Sequence, residues 1–141
     1  MPTTSKQAAT DAVNLLGIER RYAVMDGHTV SFETFSRDVD MAPLFRGLPN
    51  DSCQSPHWGV LLSGKVVFRY GDEEEVVNAG DAYYARPGHT ALVAAGTELV
   101  EFSPSAPARQ AEGVSVRNMV AALSDPDSIA TARLEAGARA A

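Results

Sequence analysis

From Arg21 to Phe102, short β-prone runs are broken by turn pairs about every ten residues, and this rhythm constrains the chain more than any other feature. Tyr22–Met25 and Thr29–Phe35 flank Asp26-Gly27, a tight-turn pair. His57–Leu62 turns at Ser63-Gly64 into Lys65–Tyr70, and Gly71-Asp72 leads to Glu75–Val77. Asn78-Ala-Gly-Asp81 turns again before Ala82–Ala85, Thr90–Val93 and Glu98–Phe102. None of these connections has room for a crossover helix. Parallel βαβ units are therefore excluded, and an antiparallel sandwich or barrel remains.

The flanks read differently. Ala8, Ala12, Val13, Leu15 and Leu16 have roughly helical spacing, so residues 5–16 predict a short helix stopped by Gly17. Beyond Pro104 and Pro107, Val116, Met119, Val120 and Leu123 recur at i, i+3, i+4 and i+7, which predicts an amphipathic helix. Asp125-Pro126 has the form of a cap followed by proline at the first helical position. It predicts a second helix through Ile129 and Leu134, ending near Gly137. The expected organisation is an N-terminal helical segment (1–20), a β region (21–104) and a C-terminal helical tail (105–141). A chain of 141 residues fits one domain.

A formal net charge of −6 argues against a nucleic-acid partner, since neutralising phosphates needs clustered Lys and Arg. It gives no support for anionic membranes either. A single cysteine rules out an intrachain disulfide and suits a reducing compartment. The first residues lack the charged-then-apolar pattern of a leader, and no apolar run approaches the ~18 residues of a membrane span. The expectation is a cytoplasmic protein with no membrane partner.

Two stretches carry a family resemblance. Cys53-Gln-Ser-Pro-His57-Trp-Gly-Val-Leu-Leu-Ser-Gly64 resembles the first motif of the cupin superfamily, and Gly80-Asp-Ala-Tyr-Tyr-Ala-Arg-Pro-Gly-His89 resembles the second. The resemblance covers residues from about 30 to 104, with Gly64 and Gly80-Asp81 as its most specific marks. It implies a mainly β fold: a single cupin jelly-roll barrel with the helices outside it. It also implies a metal site inside the barrel, a small-molecule ligand or substrate, and a homodimer. The family's usual three-His-one-Glu set is absent, however. His57 stands where the Glu is expected, Asp51 and Cys53 near the His-x-His positions, and His89 two residues before the second motif's His, at about Ala91.

Cys53, His57 and His89 are therefore the candidate metal ligands, for a divalent transition metal: zinc first, with iron or copper as alternatives. Residues two apart on a strand share a face, so the three point inward together if the strand runs unbroken through Pro56. The competing reading makes Cys53 a small buried hydrophobe and His57 a hydrogen-bonded core residue. Asp51 follows Pro49-Asn50 and reads better as a turn residue than as a ligand.

Glu33 and Glu101 interrupt apolar strands, and solvent exposure is the default for such carboxylates. Glu101, flanked by Leu99, Val100 and Phe102, is the stronger candidate acid/base, and Tyr83 is a candidate for orienting a ligand. Trp58 has the opposite parity to His57 and is expected outside. His28 and the acidic run Asp72–Glu75 read as exposed turn residues. Three functions remain open: a metal-dependent oxygenase, isomerase or lyase; a non-catalytic binding or sensing module; and a metal-free enzyme using His57 or Glu101.

Overall fold

The structure is a computed structural model and describes residues 3–130. Ten strands form two antiparallel sheets. They are β1 (Asp11–Leu15), β2 (Ile18–Met25), β3 (His28–Phe35), β4 (Val39–Asp40), β5 (His57–Ser63), β6 (Lys65–Tyr70), β7 (Glu73–Asn78), β8 (Ala82–Ala85), β9 (Thr90–Val93) and β10 (Glu98–Pro104). The large sheet has the order β1-β2-β3-β10-β5-β8, and the small sheet β4-β9-β6-β7. This is the antiparallel architecture expected from the strand rhythm and the jelly roll implied by the cupin resemblance, with two separate hydrogen-bonded sheets facing one another in place of a closed barrel.

The turn at Gly64 hands the chain from one sheet to the other. Its φ of 83° lies in the region that favours glycine, and a Cβ there would run into Thr97, which is fully buried beneath it. The core between the sheets includes Ile18, Phe35, Val39, Leu44, Leu61, Val66, Phe68, Val93 and Leu99.

The helix expected over residues 5–16 is replaced by a strand. A single turn around Ser5–Ala8 is followed by β1, which pairs with β2 from Asp11↔Tyr22 to Leu15↔Ile18. Leu16 and Gly17 both take positive φ (56° and 78°) and close a two-residue hairpin. The apolar spacing of Val13 and Leu15 fits a strand as well as a helix, and pairing with β2 decides between them. The boundary drawn at residue 20 therefore falls inside β2.

At the other end, Ser105–Ala122 form helix α1, starting well before the expected stripe. Its buried residues are Ser105, Ala111, Ser115, Met119 and Ala122, while Val120 and Leu123 are about half exposed. The helix packs on the 3-10 turn Ala42–Phe45 and on β1, β3 and β10. Pro126–Ile129 then make one 3-10 turn, with Ile129 fully buried. Leu134 and Gly137 of the second expected helix lie outside the described residues. No described helix is long and apolar enough to cross a membrane.

Candidate functional site

A cavity of about 590 Å³ lies between the sheets, and its two walls differ in chemistry. The small sheet contributes Val66, Phe68, Ala91 and Val93. The large sheet contributes polar residues because of register. Tyr22 pairs with Ser31, Ser31 with Glu101, Glu101 with Gly59 and Gly59 with Tyr83. Directly opposed residues share a face, so one row crosses five strands on the inner side. The neighbouring row begins with Arg20 opposite Glu33.

Cys53, His57 and His89 meet at one end of the cavity. Their ligand atoms all lie within 4.8 Å of one another. The chain from Gln54 to Pro56 is not strand, so the unbroken strand needed for the parity rule is absent. A separate bridge does the positioning instead. Cys53 sits directly opposite His89, with Cys53 N–H donating to the His89 carbonyl at 2.8 Å. His57 opens β5 just beyond the proline.

The His89 tautomer follows from its hydrogen bond. His89 Nδ1 lies 2.7 Å from the Arg86 carbonyl, which can only accept, so Nδ1 carries the proton and Nε2 keeps its lone pair. His57 Nδ1 is 2.6 Å from Ser103 Oγ and 3.7 Å from Glu101 Oε2. The Ser103 hydroxyl can donate or accept, so this contact suits either tautomer; the other nitrogen, Nε2, faces Cys53 Sγ at 3.5 Å.

Burial lowers both imidazoles to a pKa of about 4, so each is neutral at pH 7. Burial also pushes the Cys53 thiol up to about 12. Without a metal, the cluster is uncharged.

This donor set fits a first-row metal. Bond lengths of ~2.0–2.3 Å at tetrahedral angles put neighbouring N and S ligands ~3.6 Å apart, close to the Cys53–His57 separation. Carboxylate and hydroxyl partners behind His57, and a carbonyl behind His89, are the supports that fix ligating imidazoles.

Glu101 is buried, and burial raises its pKa. Tyr83 donates to Glu101 Oε1 at 2.7 Å. Tyr83 does not itself line the cavity; it reaches the carboxyl from β8 across Gly59. A Cβ at Gly59 would stand 2.5 Å from the Tyr83 ring, so the missing side chain makes the passage. Tyr84 points the other way, half exposed, and packs on Trp58 at 5.0 Å between ring centroids. Trp58 is outside, as its parity predicted.

Glu33 departs from the solvent-facing default. It is buried in the cavity, its Oε1 2.6 Å from Arg20 Nε in an ion pair not aligned as a hydrogen bond. Burial raises its pKa, and Arg20 opposes that rise. Arg20 also reaches α1, at Glu112 Oε2 (3.0 Å) and Ser115 Oγ (3.3 Å). Asp51 is the turn residue it resembles: it is exposed, and its Oδ1 accepts from Gly47 N–H at 3.0 Å. His28 is exposed too, and so is the stretch Asp72–Glu75.

Sequence reading missed Arg20, Tyr22, Ser31, Ser103 and Glu112. Arg20 and Tyr22 share the parity of buried Ile18, which is the signal, but it is legible only once β1 and β2 are seen as a hairpin.

No protein-family model matches the sequence, and no curated protein does. Solved structures do. A domain-sized part of an oxalate decarboxylase matches at TM-score 0.52 and 14% identity, over 67% of this chain and 27% of that one. A Rhizobium leguminosarum protein of unknown function matches at TM-score 0.51 and 10% identity, over 73% of this chain and 95% of that one. An RmlC-like cupin from Shewanella frigidimarina superposes at 0.49 and 14% identity, over 69% of this chain and 86% of that one. At such identities the likeness is one of fold, and it agrees with the strand order traced above: the chain has the cupin fold.

Proposed function

We propose that this protein is a metal-dependent enzyme acting on a small organic molecule, with Cys53, His57 and His89 holding a divalent transition metal, zinc first among the candidates. The observation that carries the reading is the convergence of three donor atoms within 4.8 Å, each neutral and, for His89, held by a partner that fixes the ligating tautomer. Three protein ligands leave a coordination position open to the cavity, and a metal there would supply Lewis acidity toward a substrate oxygen.

Glu101 stands behind His57, 3.7 Å from its Nδ1, as the candidate proton carrier. Burial raises its pKa above the ordinary carboxylate value, which suits a group that takes up and gives back a proton, and Tyr83 orients it. The apolar wall of Val66, Phe68 and Val93 would exclude water from the reacting group. An oxygenase, isomerase or lyase would each fit, because one fold hosts many chemistries.

Elemental analysis of protein purified without added metal, repeated on Cys53→Ser and His57→Gln, tests the reading. Near-stoichiometric metal in the parent protein and its loss in both variants is expected. A folded parent holding less than about a tenth of an equivalent, and taking up none when zinc is supplied, would sink it.

Trp58, Val60, Leu62, Tyr84 and Phe102 form an exposed apolar strip on the outer face of the large sheet. This strip is our proposed seat for the homodimer. Sedimentation of the parent as a dimer and of Trp58→Glu as a monomer is the expected pair of results.

A further inference from the structure

The end of the cavity under α1 contains polar atoms that the metal-site reading does not use. Ser31 Oγ, Tyr22 Oη and Glu112 Oε1 are each buried without an aligned hydrogen bond, although Tyr22 lies near enough to Glu112 and Arg20 to interact with both, and all three residues line the cavity. Ser31 is only 8% exposed. A buried hydroxyl or carboxylate oxygen left unsatisfied is destabilising, so three of them in one place ask for a hydrogen-bonding partner.

Their placement follows from the sheet and helix. Tyr22 and Ser31 face each other across β2 and β3. Glu112 comes from α1 and is anchored beside them, because its other oxygen is held by Arg20, two residues before Tyr22 on the same face. Burial raises the Tyr22 phenol above its ordinary value, which keeps the hydroxyl protonated and its oxygen free to accept.

All three oxygens can accept a hydrogen bond, and Glu112 Oε1 can only accept. The complementary group is a cluster of donors. Charge at this spot points the same way: Glu112 brings a carboxylate whose Oε1 has no aligned partner, while Arg20 is already paired with Glu33 and with the other Glu112 oxygen. An added anion would meet that carboxylate, while an added cation would offset it.

We propose that Tyr22, Ser31 and Glu112 form a subsite for a primary ammonium group, so that the protein's ligand is a small amine whose carbon frame lies along the Val66–Phe68 wall. The three N–H donors of an ammonium match the three oxygens in number and polarity. This subsite adds a substrate class to the metal-site reading but does not require the metal.

Calorimetric titration with benzylamine, benzyl alcohol and benzoate tests it, run on metal-free and zinc-loaded full-length protein. The three probes share a ring and differ in the head group. Benzylamine is expected to bind both forms, about tenfold or more tighter than the alcohol, with benzoate weaker still at the metal-free protein. Glu112→Gln should weaken benzylamine about tenfold, and Tyr22→Phe or Ser31→Ala about threefold to tenfold.

Glu112→Gln also loosens Arg20 and so lowers stability; the other two variants keep the test independent of that loss. Each deletes a hydroxyl without an aligned hydrogen bond, so each should fold with its melting temperature unchanged or raised. Equal binding of amine and alcohol to metal-free protein would overturn the proposal. So would no amine binding at about 10 mM, or amine affinity unchanged in Tyr22→Phe and Ser31→Ala. Amine binding that needs zinc would likewise overturn it. Failure of zinc to bind, with amine binding intact, would instead remove the metal reading and leave the subsite standing.

Discussion

The two ends of the cavity solve opposite electrostatic problems. At the Cys53–His57–His89 end, burial acts on groups that can shed or refuse charge, and all three are neutral at pH 7. At the α1 end, Arg20 cannot shed its charge. Burial works against the guanidinium, but Glu33 and Glu112 outweigh that penalty and keep it protonated. The first end is neutral, and the second holds a guanidinium paired with two carboxylates. The difference teaches that the first end can be altered without great structural cost, whereas the second ties helix to sheet.

The sharpest way to break that contrast is Arg20→Ala. It strands Glu33 and Glu112 beside a hole, and unfolding in denaturant should show a loss of about 3–5 kcal/mol. A loss under about 1 kcal/mol would mean that α1 is held by packing alone.

Acid should separate the ends next. The folded-state pKa of each imidazole is depressed from 6.5 to about 4, so each contributes stability that is present above pH 6.5 and lost as pH falls toward 4. Fully expressed, that is roughly 3 kcal/mol per histidine in metal-free protein. Glu33 runs the other way. Its folded pKa is raised, so its contribution is present at low pH and lost as pH rises through the folded value. Denaturant unfolding of His57→Gln between pH 4 and 7 should show the acid-side loss reduced and the Glu33 trend exposed. An unchanged profile would mean that His57 is not buried as described.

Zinc should act at one end only. At about a hundred times its dissociation constant it should stabilise the fold by roughly 2.7 kcal/mol. Because the thiol is protonated beforehand, binding at pH 7 should release one proton per ion, as the thiolate forms. Calorimetry in buffers of different ionisation heats reads that proton, and Cys53→Ser should abolish it. Arg20→Ala, where folded, should retain it.

The smallest expected effect is that of Tyr83→Phe. Loss of the hydrogen bond to Glu101 should cost about 1 kcal/mol. Removing a contact that lowers the Glu101 pKa should also raise that pKa further, shifting any catalytic pH profile upward without changing zinc affinity.

Much of the fold was legible because β-strands separated by tight turns leave local marks. Gly64 and Asp26-Gly27 state their turns within two residues, and Trp58 and His57 report opposite faces by parity alone. Cys53 and His89 were legible as candidates from their spacing relative to the cupin motifs. Their contact was not, because the bridge between them replaces the continuous strand that parity assumed. β1 was lost because Val13 and Leu15 satisfy both periods over so short a span, and only the partner strand decides. With β1 misread, Arg20, Tyr22 and Glu33 could not be recognised as an inward face. Glu112 was invisible for a different reason: helix α1 buries Ala111 and Ser115, and a face of small and polar residues leaves no apolar stripe to read.

The bare backbone of Gly59 lets one strand govern the chemistry of another two places away. It is a glycine chosen for what must pass over it, with Tyr83 spanning β5 like a cable laid across a gap. Any side chain at this position would lift the phenol off Glu101. The proton-carrying group therefore has a trim control on a neighbouring strand, and a collection of variants at position 59 would tune acidity inside the cavity without replacing Glu101 itself.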